Sequence, residues 1–273
     1  MKIFSVDLKD LYNVRGGKLT AYIAESPFDD IKDDYKRPAV IVVPGGGYYF
    51  VSKREAEPVG SYFTYAGFQV FILDYLCNPD GARYPEQLYE LACAVDYVKK
   101  NASDLLVDVN NLFAVGFSAG GHLVADLSVE YEKAQNDLGL ADCKPTAVGL
   151  SYAVISPEFK HTDSFKNLLE DFDDDEKQKL LESLRLDKKV NAQTPPAFIW
   201  TTAEDNCVPP QNSLRYAEAL SLNGVPFELH VYPHGWHGLS NCIDEINPAK
   251  PAFLRKNSQW MSDCADFFHD FSK

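Results

Sequence analysis

The sequence predicts an α/β protein, a mostly parallel sheet with helices on both faces, and three observations lead there. Short apolar runs recur at residues 39–43, 68–74, 112–115, 147–152, 197–201 and 227–232, and the first shows no polar alternation, as expected for a strand covered on both sides. Stretches of helical period lie between them, for example Leu88, Leu91, Ala92, Val95 and Val98. Gly-rich turns follow two of the runs, Pro44-Gly45-Gly46-Gly47-Tyr48 and Gly116-Phe117-Ser118-Ala119-Gly120-Gly121-His122. Strands alternating with helices build a parallel sheet, and such sheets bind ligands at the carboxyl ends of their strands.

The 273 residues are 45% hydrophobic and 13% aromatic, enough for one substantial core, and the expectation is a single domain over residues 1–273. Lys and Arg number 26 against 40 Asp and Glu, a net charge of −14. That balance argues against nucleic acid and anionic membrane as partners, because both need a basic face. The first residues lack the apolar stretch of a secretory signal and no later run approaches membrane-spanning length, so a cytoplasmic protein is expected. Six cysteines without a Cys-x-x-Cys pair read as reduced packing residues.

In chain order, residues 3–6 and 18–23 form an antiparallel edge hairpin joined through residues 13–17. Residues 29–36 are a charged surface loop. Strand 39–43 runs into three glycines, which let the backbone turn with its amides exposed, as an oxyanion hole or a phosphate cradle needs. The phosphate alternative lacks both a Gly-Lys-Ser/Thr ending and Gly-x-Gly-x-x-Gly. A helix after Tyr84-Pro85 leads to the strand before Ser118, and residues 211–223 form another, entered through Pro209-Pro210 and closed by Gly224. A terminal helix gathers Trp260, Cys264, Phe267 and Phe271 on one face.

Residues 154–196 interrupt the alternation and read as a small cap over the sheet's carboxyl edge, with a helical pattern at 177–186. Asp171, Asp173, Asp175 and Glu182 fall on positions of a calcium-loop template, but Glu176 stands where that loop demands glycine, so the acids read as a solvated helix entry.

Gly-Phe-Ser-Ala-Gly, set between a strand and a helix, is the pattern of a nucleophile elbow, in which a tight turn lifts the serine oxygen clear of the sheet. A serine nucleophile requires a base and an acid that orients the base. Two loops offer them: Glu204 and Asp205 follow strand 197–201, and His234 and His237 follow strand 227–232. Neighbouring residues on an extended segment point opposite ways, so one acid of the pair faces the base. A metal site on His234 and His237 lacks a third ligand at a suggestive spacing, and His122 reads as a packing residue behind the elbow. Tyr48, Tyr49, Phe50 and Trp236 are candidates for a sugar-facing mouth.

Four motifs in order, Gly-Gly-Gly after an early strand, Gly-Phe-Ser-Ala-Gly-Gly-His, Asp-x-x-Val-Pro and a late His-Gly, resemble the α/β-hydrolase superfamily over about residues 39–239. The match is to its bacterial esterase/lipase group, which includes acetyl-xylan and other carbohydrate esterases. The resemblance implies Ser118 as nucleophile, Asp205 as orienting acid, His237 as general base and the amides of Gly46, Gly47 and Ala119 as oxyanion donors. Pro44 stands where many relatives carry histidine, a departure shared with the carbohydrate-esterase branch. The resemblance implies hydrolysis of short acyl esters of small molecules with no cofactor and no metal, and it leaves a homo-oligomer open. An amidase, arylformamidase or peptidase of the same fold, and an inactive binding protein, are the alternatives.

Overall fold

The computed structural model describes residues 1–26, 35–159 and 163–272. Most of the expected charged loop at 29–36 lies outside the described residues. Eight strands form one sheet: β1 (Lys2–Asp7), β2 (Lys18–Ile23), β3 (Arg37–Val43), β4 (Gln69–Asp74), β5 (Val107–Phe117), β6 (Val148–Ser151), β7 (Ala197–Thr202) and β8 (Phe227–Tyr232). Their order is β1-β2-β4-β3-β5-β6-β7-β8. The β1/β2 and β2/β4 pairs are antiparallel and every later pair is parallel, so the expected N-terminal hairpin extends a parallel sheet at its edge.

Because successive side chains on a strand point to opposite faces, an unbroken apolar run supplies two cores at once. In β3, Ala39, Ile41 and Val43 face one core while Val40 and Val42 face the other. The first core is covered by α2 (Glu86–Lys100), α3 (Ala119–Leu138) and α6 (Gln211–Leu222), through Leu88, Leu91, Val95, Leu123, Leu127, Tyr216 and Leu220. The second is covered by α1 (Glu57–Tyr65) and α8 (Trp260–Asp270), through Val59, Phe63, Trp260, Cys264 and Phe268. Phe268 stacks on Phe113 of β5 with centroids 4.5 Å apart.

The cap carries α4 (Asp163–Leu168) and α5 (Asp174–Ser183). The expected helix at 177–186 therefore begins and ends earlier. Asp173 is the reason for the start: its carboxylate accepts the Glu176 N–H and caps the helix, with Asp174, Asp175 and Glu176 in the first turn. A four-residue turn, α7 (Leu254–Asn257), precedes α8. Among the described residues no helix is long and apolar enough to cross a membrane.

Strand order places the site. The chain passes from β3 to one neighbour, β4, and later returns to the other side as β5, so the loops after β3 and β5 diverge from adjacent strands, with Val43 paired to Gly116. This is the crevice where open α/β sheets bind ligands. β7 and β8 lie two and three strands beyond β5, roughly 10 and 14 Å at ordinary strand spacing. Their loops must therefore reach back to meet Ser118.

Candidate active site

Ser118 sits between β5 and α3 with φ 52° and ψ −115°, backbone angles that a side chain rarely adopts. The surroundings hold it there: its N–H donates to Ser151 O at 3.0 Å, and its own carbonyl accepts from His122 and Val154. Gly116 permits the sharp return, because a Cβ there would lie 2.3 Å from the Gly120 carbonyl oxygen. The side chain is 7% exposed and opens at the sheet's carboxyl edge.

His237 Nε2 lies 2.8 Å from Ser118 Oγ, and its Nδ1 lies 2.7 Å from Asp205 Oδ2. Asp205 Oδ1 accepts the N–H groups of Cys207 and Val208 at 3.0 and 2.9 Å, so the acid is fixed by its own turn. With Asp205 ionised and accepting, Nδ1 carries the proton and Nε2 is left as acceptor for the serine hydroxyl. Histidine, serine and acid thus meet from three loops separated by up to 119 residues of chain.

The glycine loop after β3 stands beside them. Gly46 has φ +127°, and a Cβ on it would lie 1.8 Å from the Phe50 carbonyl oxygen, so only glycine closes this turn. The turn spends the Gly46 carbonyl on the Tyr49 and Phe50 N–H groups and the Gly47 carbonyl on Asn167 Nδ2 at 2.8 Å. Among the described residues nothing accepts the N–H of Gly46 or Gly47. Ala119 opens α3, where helix geometry provides no acceptor for the first N–H groups. Three N–H groups, one of them at the positive end of α3, are thus left without a backbone acceptor among the described residues in the loops around Ser118.

The alternatives are placed as well. Glu204 turns to His234, with Oε1 2.9 Å from Nδ1, and its other oxygen accepts the Gly235 N–H at 3.2 Å. This pair is mostly exposed, and the His234 hydrogen bond lowers the Glu204 pKa. His122 is buried with Nδ1 2.7 Å from the Tyr48 hydroxyl. Tyr48 is consequently a buried strut of the loop and no part of a mouth, whereas Tyr49, Phe50 and Trp236 are 58, 59 and 43% exposed. Cys207 is the one exposed cysteine among the described residues, and partial burial followed by the Asp205 charge raises its pKa, so it is not a thiolate. Among the described residues no group of three or more His, Cys, Asp or Glu could hold a metal ion.

Sequence reading missed Glu55, Tyr152 and Asn167, each of which touches the site's loops. Only Tyr152 carried a signal, its place directly after a buried strand at the carboxyl edge.

Sheet order, elbow and loop positions define an α/β hydrolase. The chain belongs to the BD-FAE family, which it matches over residues 29–220, a span that includes Ser118 and Asp205 and ends before His237. It is 37% identical over 220 residues to endo-1,4-beta-xylanase B of Butyrivibrio fibrisolvens, covering 78% of this chain and 34% of that protein. It is 28% identical over 207 residues to an acetylxylan esterase of Xylanibacter ruminicola, covering 73% of this chain and 40% of that protein. The chain thus spans about a third to two-fifths of the length of these relatives. Among solved structures it is similar to an acetyl ester-xyloside bifunctional hydrolase of Caldicellulosiruptor lactoaceticus, with TM-score 0.78, 33% identity and coverage of 94% of this chain and 88% of that one. A carboxylesterase of Lactobacillus plantarum superposes with TM-score 0.84 at 25% identity, covering 99% and 98% of the two chains. The chain is an α/β hydrolase of the esterase group.

Proposed function

We propose that this chain is a serine ester hydrolase for short acyl groups, in particular acetyl esters of sugars or xylo-oligosaccharides. The observation that carries the reading is the continuous hydrogen-bonded chain Ser118–His237–Asp205 beside three backbone donors. His237 takes the hydroxyl proton as Ser118 Oγ attacks the ester carbonyl, and the amides of Gly46, Gly47 and Ala119 hold the negative oxygen of the tetrahedral intermediate. His237 then protonates the leaving alcohol, and water repeats the sequence on the acyl-enzyme to release the acid. Asp205 keeps the imidazole in the required tautomer and stabilises the imidazolium.

Two features support a short acyl group on a carbohydrate alcohol. The described cap consists of short helices, and α5 has no buried residue and a charged surface, unlike a lid built for a long acyl chain. Tyr49, Phe50 and Trp236 offer flat apolar faces on the two loops that flank Ser118, suited to stacking on sugar rings. The relatives named for acetyl esters and xylan agree with this reading.

Ser118→Ala is expected to lower turnover of p-nitrophenyl acetate by about 10⁶-fold, the scale found where such triads have been dissected. A variant that keeps near-full activity refutes the nucleophile. A p-nitrophenyl ester series tests the acyl group, and preference for C8 or longer contradicts the short-acyl claim. Comparing acetylated xylo-oligosaccharides with formylkynurenine separates the esterase from an arylformamidase.

A further inference from the structure

Glu55 is a carboxylic side chain in the interior, 4% exposed, with no cation paired to it among the described residues. Placing such a group in a core is costly unless its oxygens are well satisfied. Both are. Oε2 accepts the Gly45 N–H at 2.9 Å, and Oε1 accepts the Tyr152 hydroxyl at 2.6 Å.

Each partner leads to one half of the chemistry. Gly45 precedes the oxyanion donors Gly46 and Gly47, and it is wedged in place: a Cβ on it would lie 2.9 Å from Glu55 Oε2 and 3.0 Å from Ser118 Cβ. Tyr152 stands edge-on to His237 with ring centroids 5.0 Å apart. Its oxygen also accepts the Ser240 N–H at 2.9 Å, three residues past the histidine. Burial, then the neighbouring Glu55 charge, push the Tyr152 phenol well above its usual pKa, so it remains a donor. The Ser240 hydroxyl in turn donates to the Arg54 carbonyl at 2.6 Å, closing the circuit beside Glu55.

We propose that Glu55 is a positioning residue that holds the oxyanion loop and the histidine loop in register, through Gly45 on one side and Tyr152 on the other. The proposal rests on the serine-hydrolase reading of the site. Its mechanism follows from acceptor count: a carboxylate offers an oxygen to each donor, whereas an amide of the same shape has one oxygen and one NH₂. Glu55→Gln therefore keeps the volume and, with its one oxygen on the Gly45 N–H, takes away the acceptor of the Tyr152 hydroxyl proton, so that contact persists only with its polarity reversed.

The test compares wild type, Glu55→Gln, Tyr152→Phe and the double variant. The measurements are kcat and KM on p-nitrophenyl acetate, inhibition by a short trifluoromethyl ketone and thermal unfolding. The ketone reports on geometry, because Ser118 Oγ bonds to its carbonyl carbon, the proton passes to His237, and the carbonyl oxygen becomes an oxyanion in the hole. Loss of one oxyanion donor costs about 10²–10³ in kcat, and a displaced donor less. Glu55→Gln is accordingly expected to lower kcat about 10- to 100-fold with KM within about twofold, and to weaken ketone inhibition by a similar factor. Tyr152→Phe is expected to lose less, and the double variant no more than Glu55→Gln alone, because both act through one network. A kcat and ketone affinity for Glu55→Gln within about twofold of wild type overturn the proposal, as do losses that multiply in the double variant. If Glu55→Gln does not fold, Tyr152→Phe decides, since it removes a single oxygen: unchanged kcat overturns the link. A fluorophosphonate probe separates the two levels. Wild type unlabelled at Ser118 refutes the serine reading and this proposal with it, whereas labelled wild type with unaffected variants refutes the positioning role alone.

Discussion

Two acid–imidazole pairs bridge the same two loops, Asp205–His237 at 2.7 Å and Glu204–His234 at 2.9 Å. Distance does not distinguish them; surroundings do. Asp205 is buried, its second oxygen is held by two backbone amides, and its histidine continues to Ser118. Glu204 and His234 are more than half exposed, and the imidazole leads to no further reacting group. In water an ion pair gains little and is screened by salt, whereas a buried, fully hydrogen-bonded pair holds one geometry and acts in a low dielectric. A dyad becomes useful when the fold dries it and gives it a third member.

The difference can be broken from either side. Asp205→Asn keeps the shape but removes the charge that selects the imidazole tautomer. It is expected to lower kcat by about 10⁴-fold, as in dissected triads, measured on p-nitrophenyl acetate at neutral pH. Retention of more than a tenth of wild-type kcat contradicts the assignment and leaves the exposed pair as the candidate.

A third carboxylate sharpens what burial does without an imidazole. Glu90 of α2 is buried, and burial raises its pKa from 4.5 to about 7 despite the hydrogen bond from the Leu76 N–H. In the folded state it holds a proton between about pH 4.5 and 7 that the unfolded chain has released, so its contribution to stability falls as pH rises through that window. Glu90→Gln is expected to reduce that slope and to gain up to about 3 kcal/mol relative to wild type above pH 7. Urea unfolding at pH 5 and pH 8 measures it, and a variant gain that is equal at both values refutes the account.

The smallest effect belongs to the exposed pair. His234→Ala is expected to change kcat/KM by less than about twofold, with a thermal midpoint near that of wild type. A loss above tenfold would make the outer pair part of the machinery.

How much of this was legible from the chain depends on how local each cause is. The strands after which the site loops follow read directly, because each is a short apolar run bounded by turn residues. β5 was seen only from Leu112 onward; its first half contains Asp108 and Asn110, whose polarity hides a strand that begins at Val107. α1 went unread because Pro58 stands at its start and its buried face consists of Val59, Gly60 and Phe63, too few for a period to show. Turn chemistry and strand ends made Ser118 and the two loops after β7 and β8 legible, whereas the preference for Asp205 over Glu204 and for His237 over His234 came from the family resemblance. Glu55 and Asn167 were not legible, since their contacts exist only once distant loops are brought together and nothing in their immediate neighbours marks them, and Tyr152 showed only its place after a strand at the carboxyl edge.

One bond gives the cap its character. Asn167 donates to the Gly47 carbonyl, while the Asn78 side chain reaches the Asn167 carbonyl and Glu170, and Arg83 reaches the Asp171 carbonyl. The stretch around Asn167 is thus stitched to the glycine loop after β3 and to the segment around Asn78 and Arg83. Replacing this insertion therefore also removes the side chain that holds the Gly47 carbonyl.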